Sequence, residues 1–167
     1  VTGSEIRSYQ RQELIAFVGA QDYAGKRVLD YGCGAAPYRL IVEDGGGRWN
    51  GYNRSHYPGG AQVDLGPAEP LEQNWNVILC TQMLQYVPNP LALLADFRKA
   101  LSPGGRLVLT YATNWPEVET EDLFRFTRSG VELLLREWSI ESHISLGEIP
   151  FGDHETLALG YGVVAIA

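Results

Sequence analysis

Apolar residues recur along this chain at two spacings, and the switches between them mark out its elements. Ile6, Tyr9, Leu14, Ile15, Phe17 and Val18 recur at roughly helical intervals behind Ser4, a suitable N-cap, and predict a first helix over 4–20. Gly25-Lys26 breaks to a strand at 27–31. Pro37 then suits the first turn of a helix through Tyr38, Leu40, Ile41 and Val42, which Gly45-Gly46-Gly47 ends. A second strand is expected at 49–53. The stretch 54–60 is rich in turn formers, so the crossover helix expected there is missing or reduced to one turn, with a short strand at 61–64. The continuous run Val77-Ile78-Leu79 predicts a buried strand over 75–80. Pro88-Asn89-Pro90 starts a helix through Leu91, Leu94, Phe97 and Leu101, and Pro103-Gly104-Gly105 reads as a sharp stop and turn before a strand at 107–111. Residues 112–126 read as a loop, Thr127 as the cap of a helix through Val131 and 133–135, and 138–146 and 157–166 as two final strands. Strands alternating with helices imply parallel pairing through crossovers, and the last two, with no helix between them, pair antiparallel. The expected fold class is therefore α/β: a doubly wound, mostly parallel sheet with an antiparallel last strand, in a single compact domain.

Composition narrows this picture only slightly. A chain of 167 residues suits one domain. The net charge of −7 and the lack of a Lys/Arg cluster disfavour a nucleic-acid partner, whose phosphates call for a basic face. No apolar run approaches the roughly 18 residues of a membrane helix, and the first residues lack the layout of a secretion signal. A cytoplasmic location is expected, with no membrane partner. Cys33 and Cys80 have neither the number nor the spacing of a disulfide framework or a zinc site, so reduced thiols and no metal are expected.

The chemistry concentrates in Val28-Leu29-Asp30-Tyr31-Gly32-Cys33-Gly34-Ala35-Ala36-Pro37. A short buried strand ends in an acid and a tight glycine turn that leads to a helix. In an open α/β sheet, ligands bind beyond the carboxyl ends of the strands. Gly32 and Gly34 suit a backbone that turns with positive φ or approaches a ligand closely. The following helix N-terminus has unpaired N–H groups to face a carboxylate. Asp30 can accept a hydrogen bond from an ammonium, directly or through water. The dinucleotide fingerprint G-x-G-x-x-G is broken by Pro37 at its third glycine position. The plainer alternative is a turn whose glycines serve packing alone.

These residues resemble the first motif of the class I S-adenosylmethionine-dependent methyltransferases. Residues 75–87 are similar to the family's fourth strand and following loop, and residues 100–109 to its turn into the fifth strand. Phe124-Arg125-Phe126-Thr127, with Gly130 and the 133–135 run, resembles small methyltransferases of sugar and natural-product pathways. The resemblance implies a Rossmann-like domain over 1–167, with an N-terminal helix (1–25), a cofactor-binding half (26–111) and a substrate-side half (112–167). It implies S-adenosyl-L-methionine as cofactor, held at its methionine end by Asp30, Tyr31, Gly32, Cys33 and Gly34. Asn53 would meet the ribose, Asp64 and Leu65 would sit near the adenine, and Thr81 and Gln82 would close near the sulfur. Tyr86 is the candidate beside the reaction centre. Trp115, Arg125 and Phe126 lie where a small-molecule acceptor, a sugar or natural-product intermediate, would enter.

Two departures stand out. The family usually has Asp or Glu where Asn53 stands, and many relatives place Glu-His where Gln85-Tyr86 stands. An amide offers one acceptor oxygen and a donor, where a carboxylate accepts from both ribose hydroxyls. Arg125 has two readings, a contact to an anionic acceptor or a salt bridge to one of Glu117, Glu119, Glu121 or Asp122. His143 and His154 are read as structural. Methyl transfer from a sulfonium needs mainly proximity and orientation, so a base is required only for an acceptor that must lose a proton. Two further readings compete: a cofactor-binding protein that serves as a non-catalytic partner or regulator, and an NADP-dependent oxidoreductase with Arg54 facing a 2′-phosphate. The pocket is either open or completed by a second copy of the chain.

Overall fold

The computed structural model describes residues 3–53, 73–115, 122–151 and 155–167, with side chains described from residue 11 onward, Phe151 excepted. Helix α1 (Gly3–Gly19) precedes β1 (Arg27–Tyr31), α2 (Arg39–Asp44) and β2 (Arg48–Tyr52). Then come β3 (Trp75–Thr81), a 3-10 turn (Leu84–Tyr86), α3 (Pro90–Ala100) and β4 (Leu101–Ala112). Helix α4 (Arg128–Leu134) and strands β5 (Ser139–Phe151) and β6 (Glu155–Ile166) complete the chain. The expectations at 54–60 and 61–64, and those for Arg54, Asp64, Leu65 and His154, lie outside the described residues.

The described strands form one sheet in the order β2-β1-β3-β4-β6-β5. The first four are mutually parallel, β6 runs antiparallel to β4, and β5 antiparallel to β6. The chain is thus Rossmann-like, with the expected antiparallel end. The order reverses at β1, flanked by β2 on one side and β3 on the other. That is the switch point at which α/β sheets open a crevice for ligands.

Each face of the sheet carries a core. On one, Ile78, Cys80, Leu107, Leu109 and Tyr111 meet Leu94 and Phe97 of α3 and Val131 of α4. On the other, Val28, Val77, Leu79 and Val108 meet Leu14, Phe17 and Val18 of α1 and Val42 of α2. Continuous apolar runs in β1 and β3 follow from this burial on both faces. Each fully buried aliphatic side chain contributes about 1.5–3 kcal/mol, so together these runs fix the strands that carry the crevice.

Two local expectations need correction. Helix α2 begins at Arg39 and not around Pro37. Ala36 sits at φ 56 and precedes a proline, which disfavours helix there, and the chain turns once more before Arg39. The helix is only six residues long and starts beyond the glycines, so its N-terminus is not the anion site expected at the turn. Second, Pro103-Gly104-Gly105 lies inside β4. Leu101 already pairs with Trp75, and Arg106 pairs with Val77, so the extra residues form a bulge in a longer strand.

Candidate functional site

The glycine turn is fastened to the end of β2. The Tyr52 carbonyl accepts from the N–H groups of Gly32 (2.7 Å) and Cys33 (3.1 Å). Gly32 and Gly34 both have positive φ, 77° and 53°, as the turn requires. Their surroundings differ. Among the described residues, a Cβ on Gly34 would meet nothing within 4 Å, whereas one on Gly32 would stand 2.3 Å from Cγ of Met83. Gly34 borders open space, and Met83 packs directly on Gly32. The next residue pair is tighter still. The Asn53 side chain accepts from the Gly34 N–H through Oδ1 (2.9 Å) and donates to the Gly34 carbonyl through Nδ2 (3.2 Å).

Asp30, at the top of β1, is fully buried. The indole N–H of Trp49 donates to its Oδ2 at 3.1 Å. Gly51 makes that reach possible, because a Cβ there would stand 2.4 Å from the Trp49 ring. The other oxygen, Oδ1, is buried with no hydrogen-bond partner among the described residues. Burial pushes the Asp30 carboxyl up to about 6, against the opposing Trp49 hydrogen bond. A buried unmatched acceptor costs about 1–3 kcal/mol, more if charged, and calls for a donor. The thiols nearby supply no nucleophile: burial, with a smaller contribution from the Asp30 charge, pushes Cys33 up to about 11 and Cys80 up to about 12.

The tip of β3 forms the facing wall. Thr81 is buried and pairs in register with Thr110 of β4. Gln82 adopts φ 51, and its backbone N–H is bound by the Thr110 carbonyl (2.9 Å) and hydroxyl (3.1 Å). Gln85 donates through Nε2 to the Gln82 carbonyl at 2.8 Å, while its Oε1 is buried without a partner. Tyr86 ends the 3-10 turn, partly exposed. The backbone N–H of Leu123 donates to the Gln85 carbonyl at 2.9 Å, which ties the acceptor-side segment to this turn.

That segment is held by its own charges. Arg125 makes a bidentate pair with Asp122, whose side chain is only 1% exposed, and donates to the Trp115 carbonyl at 2.9 Å. Of the two readings of Arg125, the chain thus forms the salt bridge, with Asp122 as its partner. Phe126 stands edge-on to Tyr111. Behind it runs a relay that sequence reasoning missed. The Tyr111 hydroxyl lies 2.7 Å from Nε2 of His143, whose Nδ1 lies 3.0 Å from Glu132. A carboxylate only accepts, so Nδ1 carries the hydrogen and Nε2 accepts from Tyr111. Burial lowers the His143 pKa, and the Glu132 hydrogen bond opposes it. Arg128 completes the line by donating to Glu132 at 3.2 Å.

The structure therefore brings Asp30, Tyr31, Gly32, Cys33, Gly34, Asn53, Thr81 and Gln82 to neighbouring strand ends at the switch point. Trp115, Arg125 and Phe126 lie in the segments after β4, with Tyr86 linked to them through Gln85. Trp49, Met83 and Gln85 join the site unannounced. Trp49 and Gly51, two apart on a strand tip, were the readable signal for the first.

A doubly wound sheet with a glycine turn and a buried acid at its switch point defines a nucleoside-cofactor fold. The family model described as "Methyltransferase domain" matches residues 4–157, and the chain belongs to that family, among the class I S-adenosylmethionine-dependent methyltransferases. The chain is 26% identical over 129 residues to the ubiquinone biosynthesis O-methyltransferase of Pseudomonas aeruginosa, a match covering 68% of this chain and 53% of that protein. It thus spans about half the length of the curated relatives it matches. Among solved structures, S-adenosylmethionine-dependent methyltransferases from Mesorhizobium loti (TM-score 0.71, 16% identity, 95% of this chain and 98% of the other) and Aquifex aeolicus (0.67, 16%, 99% and 98%) share the fold. The cofactor of this class is S-adenosylmethionine. The residues fit it at two points: Asp30 Oδ1 awaits a donor such as an ammonium or a water bound to one, and Gly34 leaves room for a ligand. At Gly32 the Met83 side chain, a flexible thioether, covers the backbone. Among the described residues no helix is long and apolar enough to cross a membrane.

Proposed function

We propose that this chain transfers a methyl group from S-adenosylmethionine to a small-molecule acceptor, a sugar or natural-product intermediate. The observation that carries the reading is Asp30, whose fully buried carboxylate keeps one oxygen without a partner directly below a glycine turn that opens at Gly34. The cofactor, when bound, supplies an already activated methyl on a sulfonium, so the chain's task is placement. Asp30 and the 32–34 turn hold the methionine end, and Thr81 and Gln82, fixed by Thr110, line the reacting end. Tyr86 stands at the acceptor side of that wall, and Trp115 and Phe126 border the entry. Similarity to an O-methyltransferase supports oxygen as the acceptor atom. Light scattering with and without cofactor distinguishes a pocket left open from one completed by a second copy of the chain.

Titration of the full chain with S-adenosylhomocysteine, and with NADPH as control, tests the cofactor. Binding of the first alone is expected. Incubation with methyl-labelled cofactor and a panel of sugar, phenol and amine acceptors then tests transfer. One observation favours a non-catalytic binder: Arg125 and the Tyr111–His143–Glu132 line are paired within the chain. Tight cofactor binding with no labelled product from any acceptor, including a cognate cell extract, would decide for that second reading.

A further inference from the structure

Asn53 stands where a ribose-reading acid is usual, yet both ends of its amide pair with one backbone residue. The oxygen takes the Gly34 N–H at 2.9 Å and the nitrogen gives a hydrogen to the Gly34 carbonyl at 3.2 Å. Such a ring needs a donor and an acceptor side by side on one planar group. An amide has both; a carboxylate only accepts and would set an oxygen against the Gly34 carbonyl. The amide orientation is dictated by the same pairing, since the reverse would oppose two donors and two acceptors. Gly34 is also the residue with left-handed φ, 53°, and open space where a Cβ would project. Its peptides have two stable arrangements at little cost unless something holds them.

We propose that Asn53 is a positioning residue: it fixes the Gly34 peptide in the orientation that receives the amino-acid end of the cofactor, and the carboxylate of other family members cannot replace it here. The proposal rests on the reading of the turn as the S-adenosylmethionine site. It differs from a ribose contact in where the effect is felt. A ribose-reading side chain acts equally on every adenosine ligand. A clasp on Gly34 acts on the part of the ligand lying against that peptide.

The test uses the full chain and the variants Asn53→Asp and Asn53→Ala, titrated with S-adenosylhomocysteine and with methylthioadenosine, which shares the adenosine but lacks the amino-acid end. Both variants are expected to weaken S-adenosylhomocysteine about tenfold or more, the loss of about one well-made hydrogen bond, and to move methylthioadenosine less than about twofold. Asn53→Gln, which keeps both amide functions on a longer stem, should recover part of the loss. A second readout needs no ligand: amide hydrogen exchange at Gly34 should speed up about tenfold in Asn53→Ala, with the melting curve confirming a folded chain. Tighter binding by Asn53→Asp, equal losses for the two ligands, or unchanged exchange at Gly34 overturns the proposal. A wild-type chain that binds neither ligand overturns the cofactor-site reading itself, and the proposal with it, and is told apart by the parent chain alone.

Discussion

At the tip of β1, Asp30 buries a carboxylate with one oxygen unmatched, and Gly34 faces empty space. Around the tip of β4, Arg125 is neutralised by Asp122, and Tyr111, His143, Glu132 and Arg128 satisfy one another in a line. The first region carries an internal cost that an incoming donor removes. The second has already found its partners among its own residues. Family members share a cofactor and differ in acceptor, and this chain divides its polar groups the same way. On the proposed function, what is left open toward a ligand is the cofactor side. The acceptor side is shaped by rings, Phe126 against Tyr111 and Tyr161 stacked on Tyr111, and its charges are structural.

The strongest way to break that contrast is to fill each glycine in turn. Gly34→Val adds bulk where nothing among the described residues stands within 4 Å. It should leave the fold intact, with a strain of about 1 kcal/mol from the positive φ, and reduce S-adenosylhomocysteine affinity by about 100-fold or more, equivalent to about 2.7 kcal/mol. Gly32→Val instead drives a side chain into Met83, 2.3 Å from where its Cβ would stand. It should lower stability by about 1–3 kcal/mol even without ligand. Calorimetric titration and thermal melting of both variants separate these effects. Unchanged affinity in a folded Gly34→Val chain would remove the open turn from the site.

A smaller effect, and one with a definite sign, comes from Asp30. Its folded pKa of about 6 lies above the ordinary value of 3.8. The folded chain therefore holds the proton more tightly than the unfolded chain. Stability from this group is full below about pH 4 and is lost as pH rises to about 6, a change of about 3 kcal/mol. Asp30→Asn should abolish that slope in denaturant titrations and stabilise the ligand-free chain at neutral pH. Ligand binding runs the other way. An ammonium selects the ionised carboxylate, so S-adenosylhomocysteine affinity should fall about tenfold per pH unit below 6. Methylthioadenosine, without the ammonium, should show no such slope. Equal slopes for both ligands would mean that Asp30 does not face the amino-acid end.

The sequence was readable where local rules decide. The apolar runs of β1 and β3, the opening of α3 at the Pro88-Asn89-Pro90 stretch, and the Thr127 cap of α4 all stand as expected. So does the alternation that makes the sheet parallel, and so did the glycine turn. What stayed hidden depends on direction and on distant partners. That the Trp49 indole folds back over Gly51 to reach Asp30 requires knowing that β2 lies beside β1. That the Asn53 amide turns onto Gly34 requires knowing that the end of β2 lies against the glycine turn. The Tyr111–His143–Glu132 line joins residues from β4, β5 and α4, and its side chains meet across β6, which lies between the two strands. The bulge at 102–105 looked like a stop because glycine and proline end strands more often than they bend them.

The acceptor-side half of the contrast is sharpened by variants expected to do less. Tyr111→Phe leaves Nε2 of His143 without its hydrogen-bond donor and should cost about 1–3 kcal/mol in denaturant unfolding, with S-adenosylhomocysteine affinity unchanged within about twofold. Thr127→Ala is milder. The Thr127 hydroxyl accepts from the Gly130 N–H at 3.1 Å and fixes the start of α4, the helix that carries Arg128 and Glu132. Its loss should cost about 1 kcal/mol, a fall of about 2–4 °C in Tm. The effect on cofactor binding decides what this means. If the acceptor side is a self-contained assembly, loosening the start of α4 lowers the melting temperature and leaves both cofactor affinity and its pH slope where they were. A shift of more than about threefold in S-adenosylhomocysteine affinity in Thr127→Ala would mean that strain at α4 reaches the wall at the β3 tip through the Leu123–Gln85–Gln82 chain of hydrogen bonds, since the paired charges would remain. Gln85→Leu, which cuts that chain at its side-chain link, should then show the same shift, and its failure to do so would exclude that route.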